Sequence, residues 1–320
     1  MAFLAGVDEA GYGPLLSPFV VGFSLFRVPA PETDLWRLLR RTTVRSARRG
    51  DARLRVDDSK KVHRGPLGRP RLERSVAAFR GILCPNRAGG ALSAWLQEPP
   101  AGRPIWFSRA PWFRDLAGPL CPSVDPDRAR LDSALLAREL EANGCTLDGL
   151  GARAVPAAEW NVLNRRLPTK GDVLFAVTAE VMRHLLAATG TAPLRIELDR
   201  HGARLRYAGL LRRALHPDRI ETHAEGRGGS AYTLRFGGRA VQIRFLERAD
   251  ASFFPVSLAS LAAKLTRERL MDRWNAWFAS RLPDVRPTKG YALDARRWMN
   301  EARGRLDGLD VPPPLLCRWR

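Results

Sequence analysis

Asp8 and Glu9 stand side by side after the apolar run Phe3–Val7 and are followed by Ala10-Gly11-Tyr12-Gly13-Pro14. Two carboxylates at the end of a buried strand are costly unless a cation offsets them, so the pair suits a site that holds a cation. Side chains alternate along a strand, so only one of the two is expected to point directly into a given site. The glycines after them allow another backbone, such as a phosphate chain, to approach exposed N–H groups. A solvated strand-to-turn junction is the plain alternative.

Three further groups of residues have the types that chemistry needs. Asp57-Asp58-Ser59-Lys60-Lys61 holds two of the five lysines, and reads as a phosphate-facing pair or as a polar loop. Asp199 follows the strand pattern Leu194–Leu198. The end of a strand is where sheet enzymes place working residues, although an aspartate there also serves as a turn or cap residue. Asp250 precedes a long helical pattern in which Ser260, Lys264 and Arg267 follow i, i+4, i+7 spacing. One helical face then carries a hydroxyl and two cations, or the segment is an ordinary amphipathic helix.

These residues need elements to hold them. Phe3–Val7 and Pro18–Val28 read as strands joined by the glycine loop. Helices are expected at Asp34–Arg41, Leu72–Arg80, Ala129–Asn143, Ala157–Arg166, Gly171–Ala188, 204–215, Pro255–Phe278 and Asp294–Arg303, from apolar residues at helical spacing. Strands are expected at 152–156, Leu194–Leu198, Arg219–Thr222, Ala231–Phe236 and Ala240–Leu246, with Gly237-Gly238 as a hairpin turn. Residues 42–69 read as basic loop. Residues 84–130 hold Trp95, Trp106 and Trp112 among many Pro and Gly without a sustained period, which suggests an insertion or a functional loop. Pro312-Pro313-Pro314 reads as an extended tail. Strands mixed with long helices indicate an α/β or α+β fold.

The chain has 320 residues, with 53 Lys and Arg against 33 Asp and Glu, a net charge of +20. It is long enough for a sizeable core, and its 45% hydrophobic content excludes wholesale disorder. The positive excess points to a polyanion, either nucleic acid or an anionic membrane surface. Arginine supplies 48 of the 53 cations, which a GC-rich coding bias also explains. The four cysteines form no CxxC pair, so a zinc site or disulfide framework is not expected. There is no signal-peptide pattern and no apolar run of membrane-spanning length, so the expectation is a cytoplasmic protein without a membrane partner.

Taken in order, these motifs resemble type 2 ribonuclease H (ribonuclease HII). Its opening Asp-Glu-Ala-Gly-Arg-Gly-Pro is matched by Asp8–Pro14, its Asp-Ser-Lys-Lys by Asp58–Lys61, and its Ala-Ser-Ile-Leu-Ala-Lys-Val-Thr-Arg-Asp by Ala259–Glu268. Its Lys-Gly-Tyr is matched by Lys289-Gly290-Tyr291. The family's fourth acid lies ten residues before the serine of the helix motif, which is Asp250, and its third ends a strand after a long helix, as Asp199 does. Ala157–Asn164 followed by Gly171–Leu186 is similar to the family's Asn-containing turn and next helix. Tyr12 replaces the family's arginine, Arg200-His201-Gly202 replaces the glycine after the third acid, and extra sequence stands at about 84–145 and 204–242.

The resemblance implies one α/β domain over 1–320 of ribonuclease H-like fold: a mixed central sheet flanked by helices, with two insertions and a C-terminal helical part at about 255–310. It implies a monomer that hydrolyses the RNA strand of RNA–DNA hybrids, leaving 5′-phosphate and 3′-hydroxyl ends. Asp8, Glu9, Asp199 and Asp250 would be both catalytic residues and the ligands of two Mg²⁺ or Mn²⁺ ions, since an oxygen-only ligand set favours hard divalent cations. Gly11, Tyr12, Gly13, Ser59, Lys60, Lys61, Ser260, Lys264, Arg267 and Tyr291 would contact the nucleic acid, with Tyr291 packing on a sugar or base unless it is a core residue. His201 is either a proton shuttle beside Asp199 or a surface histidine. The rival readings are a DNA nuclease or resolvase of the same fold, a non-catalytic nucleic-acid binder, and a basic membrane-surface protein.

Overall fold

The computed structural model describes residues 1–16, 18–46, 48, 50–85, 90–100 and 104–319. Its centre is a seven-stranded mixed sheet in the order β5-β2-β1-β6-β9-β8-β7. The strands are β1 (Ala2–Ala10), β2 (Phe19–Val28), β5 (Thr146–Val155), β6 (Leu194–Asp199), β7 (Arg219–Gly226), β8 (Gly229–Phe236) and β9 (Arg239–Leu246). β1, β6 and β9 run parallel, and the pairs β1–β2, β2–β5, β8–β9 and β7–β8 run antiparallel. A separate two-stranded parallel sheet joins β3 (Thr43–Val44) to β4 (Leu54–Arg55).

Helices cover both faces. In chain order they are α1 (Leu35–Leu38), α2 (Ser59–Val62), α3 (Gly68–Leu83), α4 (Leu92–Trp95), α5 (Pro104–Ser108), α6 (Pro126–Ala142), α7 (Ala157–Arg166), α8 (Lys170–Ala188), α9 (Ala208–Leu215), α10 (Ala249–Ser252), α11 (Phe254–Ala279), α12 (Ala292–Ala302) and α13 (Pro313–Leu316). The period-2 alternation of β2 divides its residues between two cores. Val20, Phe26 and Val28 face α11, α3 and α6, whereas Phe19, Val21, Phe23 and Leu25 face α8 and α9. Burial on both sides is why β1 and β2 read as near-continuous apolar runs.

The axis of α11 lies unusually close to the sheet. A Cβ on Gly22 would stand 2.2 Å from the Ala259 carbonyl oxygen, so only glycine fits there. This contact places the amino-terminal part of α11 beside the carboxyl end of β1.

Three expectations are corrected. Residues 42–69 are not plain loop but hold β3, β4 and α2, elements too short to carry a hydrophobic period. The described part of 84–130 is structured: Trp95 and Trp112 are core residues, with the Trp95 indole N–H donating to Thr266 at 2.8 Å and Trp112 packing on Trp274, Trp277 and Phe278. The proline tail forms α13 and docks back on the domain through Asn161, whose amide donates to the carbonyls of Pro314 and Cys317 at 2.9 and 2.7 Å. Among the described residues no helix is long and apolar enough to cross a membrane.

Candidate active site

The carboxyl end of β1 delivers Asp8 on the α11 face, with Leu4, and Glu9 on the opposite face, with Ala5 and Val7. Asp199 arrives at the end of β6, which pairs in parallel with β1. Its Oδ1 accepts the Ala249 backbone N–H at 2.9 Å, which ties it to the turn leading into α10, where Asp250 sits. Residues distant in sequence thus converge at one edge of the sheet.

The four acids differ in what surrounds them, and most of them feel the charge of at least one other. Burial raises Asp8 well above the ordinary carboxylate range, reinforced by the charges of Glu9, Asp199 and Asp250. Glu9 is pushed up to about 7 by desolvation and then by Asp199 and Asp250. Asp250 is pushed up to about 6 by desolvation, Asp58 and Asp199. Desolvation also raises Asp199, opposed by the N–H groups of Ala249, Arg200 and Arg248. Asp8 and Glu9 leave β1 on opposite faces, as strand alternation leads one to expect, and Asp199 and Asp250 raise both of them.

Lys60 is the nearest compensating cation, favouring the charged forms of Glu9, Asp199 and Asp250. It is placed by Asp58, which caps α2 by accepting the Lys60 N–H at 2.8 Å. Ser260 on α11 donates its hydroxyl to Ser59 Oγ at 3.0 Å and partly offsets the upward shift of Asp8. Lys61 faces Asp57 at 3.4 Å. Lys264 pairs with Glu268 at 2.8 Å. Arg267 is buried, donating to Glu268 at 3.1 Å and to the Lys289 carbonyl at 2.5 Å, beneath the ring of Tyr291. Tyr291 is 48% exposed, which removes the core-tyrosine alternative.

Gly11 takes a φ of +88°, which turns the chain sharply after β1. Gly13 is exposed with open space around it. Tyr12 packs edge-on against Phe19 and lies under the Lys170 ammonium, 4.5 Å from its ring centroid. The exit of the loop is held by Gly290, whose carbonyl accepts the N–H groups of Leu15 and Leu16 at 2.8 and 3.2 Å.

One residue escaped the sequence reading. Arg318 reaches under the glycine loop, donates to the carbonyls of Gly11, at 2.5 Å, and Pro14, and stacks over Trp160. Its Nε and Nη1 are buried without partners. Burial and the nearby Arg267 push its guanidinium down to about 9. No local signal marks it, because its partners lie at the other end of the chain. His201 is neither a shuttle nor a surface residue. It is enclosed by Phe175, Tyr207 and Phe245, and that burial holds it down to about 3.

The donor set is oxygen-only and carries unrelieved mutual repulsion, which is the chemistry a hard divalent cation satisfies. Among the described residues, no three or more His, Cys, Asp or Glu side chains are arranged to hold a metal ion as they stand. Repulsion among the acids opposes a tighter cluster.

Comparison with protein-family models finds no match, and comparison with curated proteins finds none. Among solved structures, the chain is similar to ribonuclease HII in its PCNA complex from Archaeoglobus fulgidus, with 15% identity and a TM-score of 0.42 over 99% of this chain and 95% of that one. It is similar to ribonuclease H2 from Pyrococcus horikoshii OT3, with 17% identity and a TM-score of 0.40 over 98% and 92%. It is also similar to Bst-RNase HIII in complex with Mn²⁺, with 11% identity and a TM-score of 0.43 over 99% of this chain and 66% of that one.

Proposed function

We propose that the protein is a divalent-metal-dependent endonuclease that hydrolyses the RNA strand of RNA–DNA hybrids. The observation that carries the reading is the placement of Asp8 and Glu9 at the carboxyl end of β1 beside Asp199 at the end of the parallel β6, with Asp199 Oδ1 accepting the Ala249 N–H next to Asp250. A binder of polyanions gains nothing from such a cluster beside its own basic surface. The four carboxylates would hold the ions, which when bound supply charge neutralisation and Lewis acidity to phosphodiester hydrolysis.

The rest of the site orients and binds. Ser260 and the Ala249 N–H fix the directions of Asp8 and Asp199. Lys60 offsets part of the negative charge and, with Lys61, meets the phosphate backbone. Gly11 and Gly13 let a strand approach the loop backbone, and the exposed ring of Tyr291 offers a stacking surface for a sugar or base. Lys264 and Arg267 shape this wall from within, through Glu268 and the Lys289 carbonyl.

Asp8→Asn is expected to abolish Mn²⁺-dependent cleavage of an RNA–DNA hybrid while leaving the melting temperature of the protein intact. Wild-type rates from that variant would refute the assignment. Cleavage of branched all-DNA substrates but not hybrids would instead favour a resolvase.

A further inference from the structure

A second feature is lined by more cations than acids. A cleft of about 820 Å³ opens between α1, the β3–β4 pair and α6. Six arginines line it: Arg37, Arg40, Arg41, Arg53, Arg128 and Arg138. The acids on its wall are already engaged. Asp132 pairs with Arg74 at 2.7 Å and Arg128 at 3.1 Å. Glu139 accepts the backbone N–H groups of Arg41 and Thr42, each at 2.9 Å. Arg53 pairs with Asp51 at 2.7 Å. Among the described residues, Arg37, Arg40, Arg41 and Arg138 have no carboxylate partner, and all four are exposed.

Four unpaired guanidiniums around one concavity repel each other until an anion arrives, and their planar forks suit phosphate oxygens. Leu38, Leu54 and Leu135 provide an apolar lining on which a sugar or base can rest. The cleft is joined to the acids by both short strands. From β3 the chain continues to Arg45, which donates to the carbonyl of Ala251, next to Asp250. From β4 it continues to Asp58 and Lys60. Leu54 and Asp58 are four residues apart, so their backbones are separated by at most about 14 Å. A duplex strand presents a phosphate about every 3.4 Å along its axis, so this span is on the order of four base-pair steps. One wall, α6, lies within the extra sequence at 84–145.

We infer that this cleft is a second anchoring site, which holds the sugar–phosphate backbone of the substrate duplex to one side of the scissile bond. The inference rests on the nucleic-acid reading above and assigns the extra sequence a role in gripping the flanking duplex.

Salt-dependent binding of full-length protein, with Ca²⁺ in place of Mn²⁺, tests it on a hybrid of about twenty base pairs and on a hairpin-closed hybrid of about eight. Each phosphate contact adds about 0.9 to the slope of log K against log salt. The fourfold variant Arg37→Gln, Arg40→Gln, Arg41→Gln, Arg138→Gln is expected to lose about 2 to 4 of that slope on the long hybrid and little on the short one. The same four positions changed to Lys are expected to keep it. An equal slope for the Gln variant and wild type on the long hybrid overturns the inference, provided the wild type binds and cleaves. A wild type that binds no duplex sinks the nuclease reading as well. If inorganic triphosphate raises the melting temperature of wild type but not of the Gln variant, with the duplex slope unmoved, the cleft belongs to a small anion and the inference fails.

Discussion

At the scale of single residues, the four acids make the site unstable when it is charged and metal-free. Glu9 has an ordinary carboxyl in the unfolded chain and one near 7 in the fold; Asp250 is similarly raised to about 6. A raised folded-state pKa means that the native protein holds protons the unfolded chain has released. The resulting stability is present at low pH and is lost as pH rises through about 6 to 7. In EDTA, the melting temperature is therefore expected to fall between pH 5.5 and 8, and Mg²⁺ is expected to restore it mainly at the upper end. Glu9→Gln should shrink both effects. A metal-free melting curve indifferent to pH over this range, in wild type and variant alike, would contradict the shared site.

Among the elements, α11 does most to organise the site, because it carries Ser260 and packs on β1 and β2 without intervening side chains. Gly22→Ala would drive a methyl group into the Ala259 carbonyl. Overpacking of this kind costs about 1–3 kcal/mol. The expected result is a lower urea midpoint with an unchanged m-value, together with a reduced kcat as Ser260 shifts from Asp8; unaltered stability and turnover would show that the helix yields freely. The strands that deliver Asp8, Glu9 and Asp199, and the long helix holding Ser260, were legible in the sequence because they carry apolar patterns, short for the strands and long and opened by a proline for the helix. The β3–β4 pair was not, since two residues per strand hold no period at all. Trp95 and Trp112 were misread for a related reason: the local chain around them is irregular, and only packing on α11 makes them core.

Over the whole molecule, the tail and the amino-terminal strand are one structure. Asn161 holds the tail through Pro314, Cys317 and the Trp319 N–H, and Arg318 then holds the glycine loop. Removing Arg318 leaves the Gly11 and Pro14 carbonyls without that donor, a loss on the order of 1–3 kcal/mol when they remain buried. Arg318→Ala is expected to speed amide exchange at residues 11–16 more than in the sheet, and to weaken hybrid binding. Uniform exchange changes would mean that the tail serves general stability alone. No motif announced this contact, because it joins positions 307 apart.

That separation has a consequence for biosynthesis. Asp8 and Glu9 are synthesised well before the rest of the site, yet the loop beside them is braced by an arginine 307 positions further along. A nascent chain therefore holds this loop unbraced while it is still on the ribosome, and acquires the braced form only after that arginine clears the exit tunnel.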